Sequence, residues 1–210
     1  MSRLKGPQRR EQLIGVATKI FAKWGYNAAT TAAIADAAGV TEPILYRHFA
    51  SKQAMFVAIT RAMSRQTLRQ WRELIAKADT STDKIRTIAR EFPNHIRENE
   101  DAYKVIHGAL ATSRDPKVRA VMKKHYLEIE EFFRKIVEDG QKAGEFKRDL
   151  DSKTPTWQLI NTGIGYSMIA LNLRQFERFS VEEAIEFILR GLKGSPPPTT
   201  ARRETFPAAR

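Results

Sequence analysis

The chain has 210 residues, 42% hydrophobic and 29% charged, which is ample apolar content for a packed core and an ordinary composition for a soluble globular protein. It holds no run of about 18 apolar residues, so no transmembrane helix or membrane partner is expected, and its basic first residues lead into no signal-type apolar stretch. The absence of cysteine excludes disulfides and thiolate metal sites and fits a reducing, cytoplasmic setting.

The formal net charge of +12 favours an anionic partner, and residues 1–52 carry eight basic side chains against three acidic ones. Such a segment attracts a polyanion, although charge alone also serves solubility. In chain order, Leu13, Val16, Ala17, Ile20, Phe21 and Trp24 recur at three- and four-residue steps, predicting a helix that stops near Gly25. Thr30 caps a short helix to Ala38, Gly39 breaks it, and Thr41 caps another that runs to about His48 with Pro43 in its first turn. Ser51 caps a long helix towards Trp71 and Ile75. Beyond the polar break at Asp79–Thr82, helices are predicted at about 81–98, 101–113, 116–142, 153–176 and 181–192. No segment alternates with period two for long enough to form a sheet. The expected fold is all-α with about nine helices. A DNA-binding domain (1–52) is joined by a long helix to a C-terminal domain (53–193), and a Pro/Thr/Arg-rich tail (194–210) reads as disordered.

The most specific pattern is Ala35-x3-Gly39-x5-Leu45. A helix-turn-helix needs a small residue where its helices approach, a residue tolerating positive φ in the turn, and an apolar plug on the second helix. Ala35, Gly39 and Leu45 meet these needs, with Ile34 and Val40 completing the small core. The stretch Thr30 to Phe49, followed by Ser51-Lys52 and preceded by Ile20-Phe21-Ala22 and Gly25-Tyr26, resembles the DNA-binding signature of the TetR family of bacterial repressors. The resemblance covers residues 9–60. Further on it is confined to helix count and a Gly144-Glu145-Phe146 entry to the penultimate helix. Pro43 departs from the family, which often has glycine there.

The resemblance implies roles for particular residues. Thr41, Glu42, Pro43 and Ile44, at the start of the recognition helix, would face base edges; Glu42 either accepts from a cytosine amino group or only complements the helix dipole. Tyr46 and His48 resemble the family's phosphate-contacting pair, with packing and plain surface roles as the alternatives, and Arg47 would reach a base or a phosphate. Thr30, Thr31 and Lys52 suit phosphate contacts at helix starts. Two such motifs about 34–36 Å apart on double-stranded operator DNA require a homodimer, which the resemblance places on the last two helices. The penultimate stretch from Trp157 to Leu171 is apolar nearly all round, as burial on two sides demands, and Gly163 and Gly165 permit either close helix approach or a kink.

The resemblance also implies a small hydrophobic effector within the C-terminal helices. The candidates are Trp71, Phe92, His95, Tyr103, His107, Leu110, Phe133, Asn161 and Tyr166, with Phe132 and Met168 beside them, and ordinary core packing is the competing role for each aromatic. Asn161 stands out as an amide in an apolar stretch that must find partners. The sequence shows no nucleotide-binding, nucleophile-elbow or zincin motif, and its four histidines lack metal-ligand spacing, so neither enzyme chemistry nor a cofactor is expected. A repressor released by its effector is the favoured reading; a constitutive DNA-binding protein or an activator without effector is the rival.

Overall fold

The computed structural model describes residues 6–112, 114–173 and 180–193; the predicted tail at 194–210 lies outside them. These residues form helices and no strands. In order they are α1 (Gly6–Ala28), α2 (Thr31–Ala37), α3 (Glu42–His48), α4 (Lys52–Leu74), α5 (Ser81–Glu98), α6 (Glu100–Thr112), α7 (Pro116–Lys142), α8 (Lys153–Asn172) and α9 (Val181–Lys193).

Helix α1 buries Leu13, Ala17 and Phe21, one face at four-residue steps, against α4 and most extensively against α6. It does not stop at Gly25. That residue takes φ 76°, ψ 163° and kinks the chain, after which a last turn continues to Ala28. Glycine alone adopts that φ at little cost. The predicted caps hold at Thr30, which accepts from Ala33 N–H at 3.1 Å, and at Ser51, which accepts from Ala54 N–H at 3.0 Å. Helix α4 belongs to both halves of the molecule. Its first turns pack Met55, Phe56 and Ile59 into the N-terminal core, and its last turns carry Met63, Leu68 and Trp71 into the C-terminal one.

In the C-terminal half, α7 and α8 pack on one another, α8 and α9 likewise, and α5 bridges α7 and α9. The α7–α8 connection knots three helices together. The Glu145 carboxylate accepts from the N–H groups of Ser81 and Thr82 at 2.8 and 2.9 Å, capping α5 from a distant part of the chain. Those bonds help hold its pKa below the ordinary carboxylate value despite desolvation. Lys147 N–H reaches Leu192 O at 2.9 Å, and Arg86 of α5 grips Glu186 of α9 through two bonds at 2.5 and 3.0 Å. Gly140 makes room for Phe146: a Cβ there would lie 2.3 Å from the ring. Gly163 similarly admits Phe92, whose Cζ would be 3.3 Å from an added Cβ, whereas nothing described approaches Gly165. Close approach, not a kink, accounts for Gly163.

Candidate DNA-binding surface and effector cavity

The helix-turn-helix is built as its pattern requires. Ala35 is buried, Gly39 turns the chain at φ 64°, and Val40 N–H returns to Ala35 O at 3.0 Å. Leu45 is fully buried and Phe49 nearly so, with the Arg10 guanidinium 4.9 Å over the Phe49 ring. With Leu45 and Phe49 inward, Thr41, Pro43, Tyr46 and Arg47 face outward, and Glu42, Ile44 and His48 are half-buried at the margin.

Thr41 occupies the N-cap of α3 but makes no side-chain cap bond. The expected cap is therefore positional only, which leaves its exposed hydroxyl for a partner. Tyr46 is 47% exposed and meets Thr31 Oγ1 at 3.2 Å through its hydroxyl, an arrangement that sets aside the packing role and presents two hydroxyls together. Lys52 is placed differently from the expectation. Its ammonium donates to Asn27 O at 3.2 Å and Ala29 O at 3.0 Å, and lies 4.9 Å over the Tyr26 ring. It closes the C-terminal end of α1, where backbone carbonyls lack helical partners and carry partial negative charge. Sequence spacing could not reveal this, because the partners sit 25 and 23 residues away.

The second feature lies inside the C-terminal helices. Met63 and Trp71 of α4, Phe92 of α5, Tyr103 and His107 of α6, His125 and Phe133 of α7, and Gly163 and Ser167 of α8 line a chiefly apolar cavity of about 70 Å³. Of the expected residues, Trp71, Phe92, Tyr103, His107 and Phe133 lie on its wall. His95 sits behind them, with Nε2 3.3 Å from Thr67 Oγ1, and Tyr166 packs on Phe92 at 6.0 Å between ring centroids. Two expectations need correction. Leu110 is 51% exposed on the outer side of α6, and Asn161 is exposed on the far side of α8, so neither faces the cavity. Asn161 finds solvent and thus needs no buried partner. Met168 is likewise 45% exposed.

The sequence reading missed His125, Tyr126 and Ser167. Their polar character spoke against an apolar wall, yet each has a place: His125 Nδ1 lies 2.5 Å from Ser64 Oγ, and Ser167 Oγ lies 3.2 Å from His107 Nε2. Burial drives the pKa of His95 and of His125 down to about 4, with repulsion from His107 adding to the effect at His125; burial lowers that of His107 as well. These rings are therefore neutral near pH 7. Tyr126 is pushed up to about 12 by burial.

The DNA-binding end and the cavity are joined by covalent and non-covalent routes. Helix α4 runs from one to the other. Helix α7 starts at Asp115, whose carboxylate caps it by accepting from Lys117 N–H at 2.8 Å and also accepts from Gln53 Nε2 at 2.5 Å. Helix α6, a third wall of the cavity, lies along α1.

A helix-turn-helix with free polar groups at its recognition helix, mounted on a helical domain that contains an apolar cavity, defines a DNA-binding transcription regulator. The tetR family model of bacterial regulatory proteins matches residues 13–59, and the tetracyclin repressor-like C-terminal domain model matches residues 78–165. The chain belongs to the TetR family of bacterial transcriptional regulators. It is 29% identical over 150 residues to the HTH-type transcriptional repressor KstR2 of Rhodococcus jostii, covering 68% of this chain and 70% of the relative. It is 30% identical over 105 residues to the HTH-type transcriptional activator FasR of Mycolicibacterium smegmatis, covering 50% and 48%. Among solved structures, FadR from Bacillus subtilis in complex with stearoyl-CoA has the same fold, with a TM-score of 0.76 and 18% identity over 87% of this chain and 97% of that one. These relatives are transcriptional regulators, and among the described residues no helix is long and apolar enough to cross a membrane.

Proposed function

We propose that this regulator is a repressor that binds a palindromic operator as a dimer and leaves it when a small apolar molecule enters the cavity. It acts by binding and not by catalysis, in the cytoplasm. The observation that carries this reading is the small volume of the cavity. A volume of about 70 Å³ is far below the roughly 300–1,000 Å³ of typical ligand sites, so no effector enters without moving the walls. Three of those walls, α4, α6 and α7, bear on the DNA-binding domain through the continuity of α4, the packing of α6 on α1 and the Gln53–Asp115 bond. Ligand affinity for the expanded state then becomes a bias on the spacing of the recognition helices.

The stearoyl-CoA bound by FadR supports an apolar effector, and the KstR2 repressor supports the sign of regulation. The outer faces of α8 and α9 suit the dimer, since Met168 and Phe187 are 45% and 73% exposed there. Base reading falls to Thr41, Glu42, Pro43 and Ile44, and backbone contacts to Thr30, Thr31, Tyr46, Arg47 and His48.

Selection of bound sequences from random DNA tests the reading and should return a palindrome. Thr41→Val should then shift the preference at one base pair by about 1–3 kcal/mol. An asymmetric single site, or a uniform loss over all sequences, would overturn the docking.

A further inference from the structure

Few buried polar side-chain atoms among the described residues lack a hydrogen-bond partner. Among the described residues they are Gln70 Oε1, Thr82 Oγ1, His107 Nδ1 and Thr156 Oγ1, and only His107 belongs to the cavity wall. Native interiors rarely leave such atoms unpaired, so each calls for an explanation.

The neighbours of His107 define what this nitrogen can do. Its Nε2 lies 3.2 Å from Ser167 Oγ, and the Ser167 hydroxyl donates its single hydrogen to Ile164 O at 2.9 Å. That helical back-bond is a common habit of serine. Ser167 Oγ therefore accepts from His107 Nε2–H, and a neutral imidazole with its proton on Nε2 carries a lone pair on Nδ1. Burial lowers the pKa of the ring, which keeps it neutral near pH 7. The other histidines of this region are engaged differently, His125 Nδ1 with Ser64 and His95 with Thr67 and Asn99. Phe92 and Ile164 on the same wall supply apolar surface to the body of a ligand, and the Tyr103 ring lies edge-on to His107 at 5.9 Å between centroids.

Building on the effector reading above, we propose that His107 Nδ1 is a polar recognition point of the cavity, the one wall atom of the described residues that is buried without a partner. The effector is an otherwise apolar molecule that donates one hydrogen bond to it from a hydroxyl or N–H group. A ligand with only acceptor groups, such as an ether, leaves Nδ1 unsatisfied and binds more weakly.

Two measurements test this. In the full-length protein, with the ring assigned by comparison with His107→Phe, the 15N shifts of His107 should show the Nε2–H tautomer. The Nδ1–H tautomer would overturn the proposal. Binding of 2-naphthol, 2-methoxynaphthalene and naphthalene is then followed by titration. Wild-type protein should prefer 2-naphthol over its methyl ether by about tenfold, the scale of one buried hydrogen bond. His107→Phe should abolish the preference, bringing the ratio of the two affinities close to one, whatever the change of wall shape does to both ligands alike. Ser167→Ala, which frees the ring to change tautomer, should reduce the preference and serves if the first variant does not fold. Equal affinity of naphthol and ether for wild type removes the role of His107 and leaves the effector cavity standing. Failure of all three to bind overturns both.

Discussion

Moderate acid should destabilise this protein well before its carboxylates titrate. His95 and His125 are buried, at 8% and 5% exposure, and their pKa values are held at about 4, against about 6.5 in an unfolded chain. A depressed histidine pKa means that the unfolded state binds more protons between those values. The stabilisation is thus complete above about pH 6.5 and declines as the pH falls towards 4. At pH 5 the unfolded chain has taken up nearly one proton on each ring and the folded chain almost none. The interval from 6.5 to 5, at about 1.4 kcal/mol per pH unit for each proton, amounts to about 2 kcal/mol per histidine and about 4 kcal/mol for the pair. That is a large share of a typical stability of about 5–15 kcal/mol. His107 shifts in the same direction and adds to the loss. Urea unfolding at fixed protein concentration, at pH 7.5 and pH 5, measures the difference. The strong positive charge also disfavours the compact state in acid, so the comparison is repeated in high salt, which screens that repulsion and not the histidine desolvation. A double variant, His95→Phe with His125→Leu, should lose most of the pH dependence. An unchanged urea midpoint in the wild type, or an undiminished pH dependence in the double variant, would refute the reasoning.

Lys52→Met keeps the aliphatic stem and removes the ammonium from Asn27 O and Ala29 O, so it should cost about 1–2 kcal/mol in urea unfolding. The salt dependence of DNA binding should stay as it was; a slope lower by about one would show that Lys52 reaches a phosphate after all. Gly140→Ala places a methyl group 2.3 Å from the Phe146 ring and 2.9 Å from Ser81 Cβ, which forces that junction apart. A destabilisation of about 1–3 kcal/mol is expected from such overpacking, and a urea midpoint indistinguishable from wild type would contradict the packing described.

Helix existence and much of the motif were legible in the sequence, because their causes are local. The three- and four-residue steps of Leu13, Ala17 and Phe21, the caps at Thr30 and Ser51, and the triad Ala35, Gly39 and Leu45 each act within a few residues of chain. Periodicity tells that a helix has an apolar face, but not what a polar residue on it meets. Asn161 and Leu110 were assigned to the cavity by type, and the rotation of α8 and α6 turned them to solvent. His125 and Ser167 were passed over by type, and the same packing brought them inside. The contacts that fix the tertiary arrangement, Lys52 to the end of α1, Gln53 to Asp115 and Glu145 to the start of α5, span 23 to 64 residues. The sequence alone determined that this is a helical protein with a DNA-reading motif near Thr41. Tertiary structure decided which hydroxyls remain free, which lysine is structural and which histidine nitrogen is left without a partner, since each of these depends on side chains brought together only by folding.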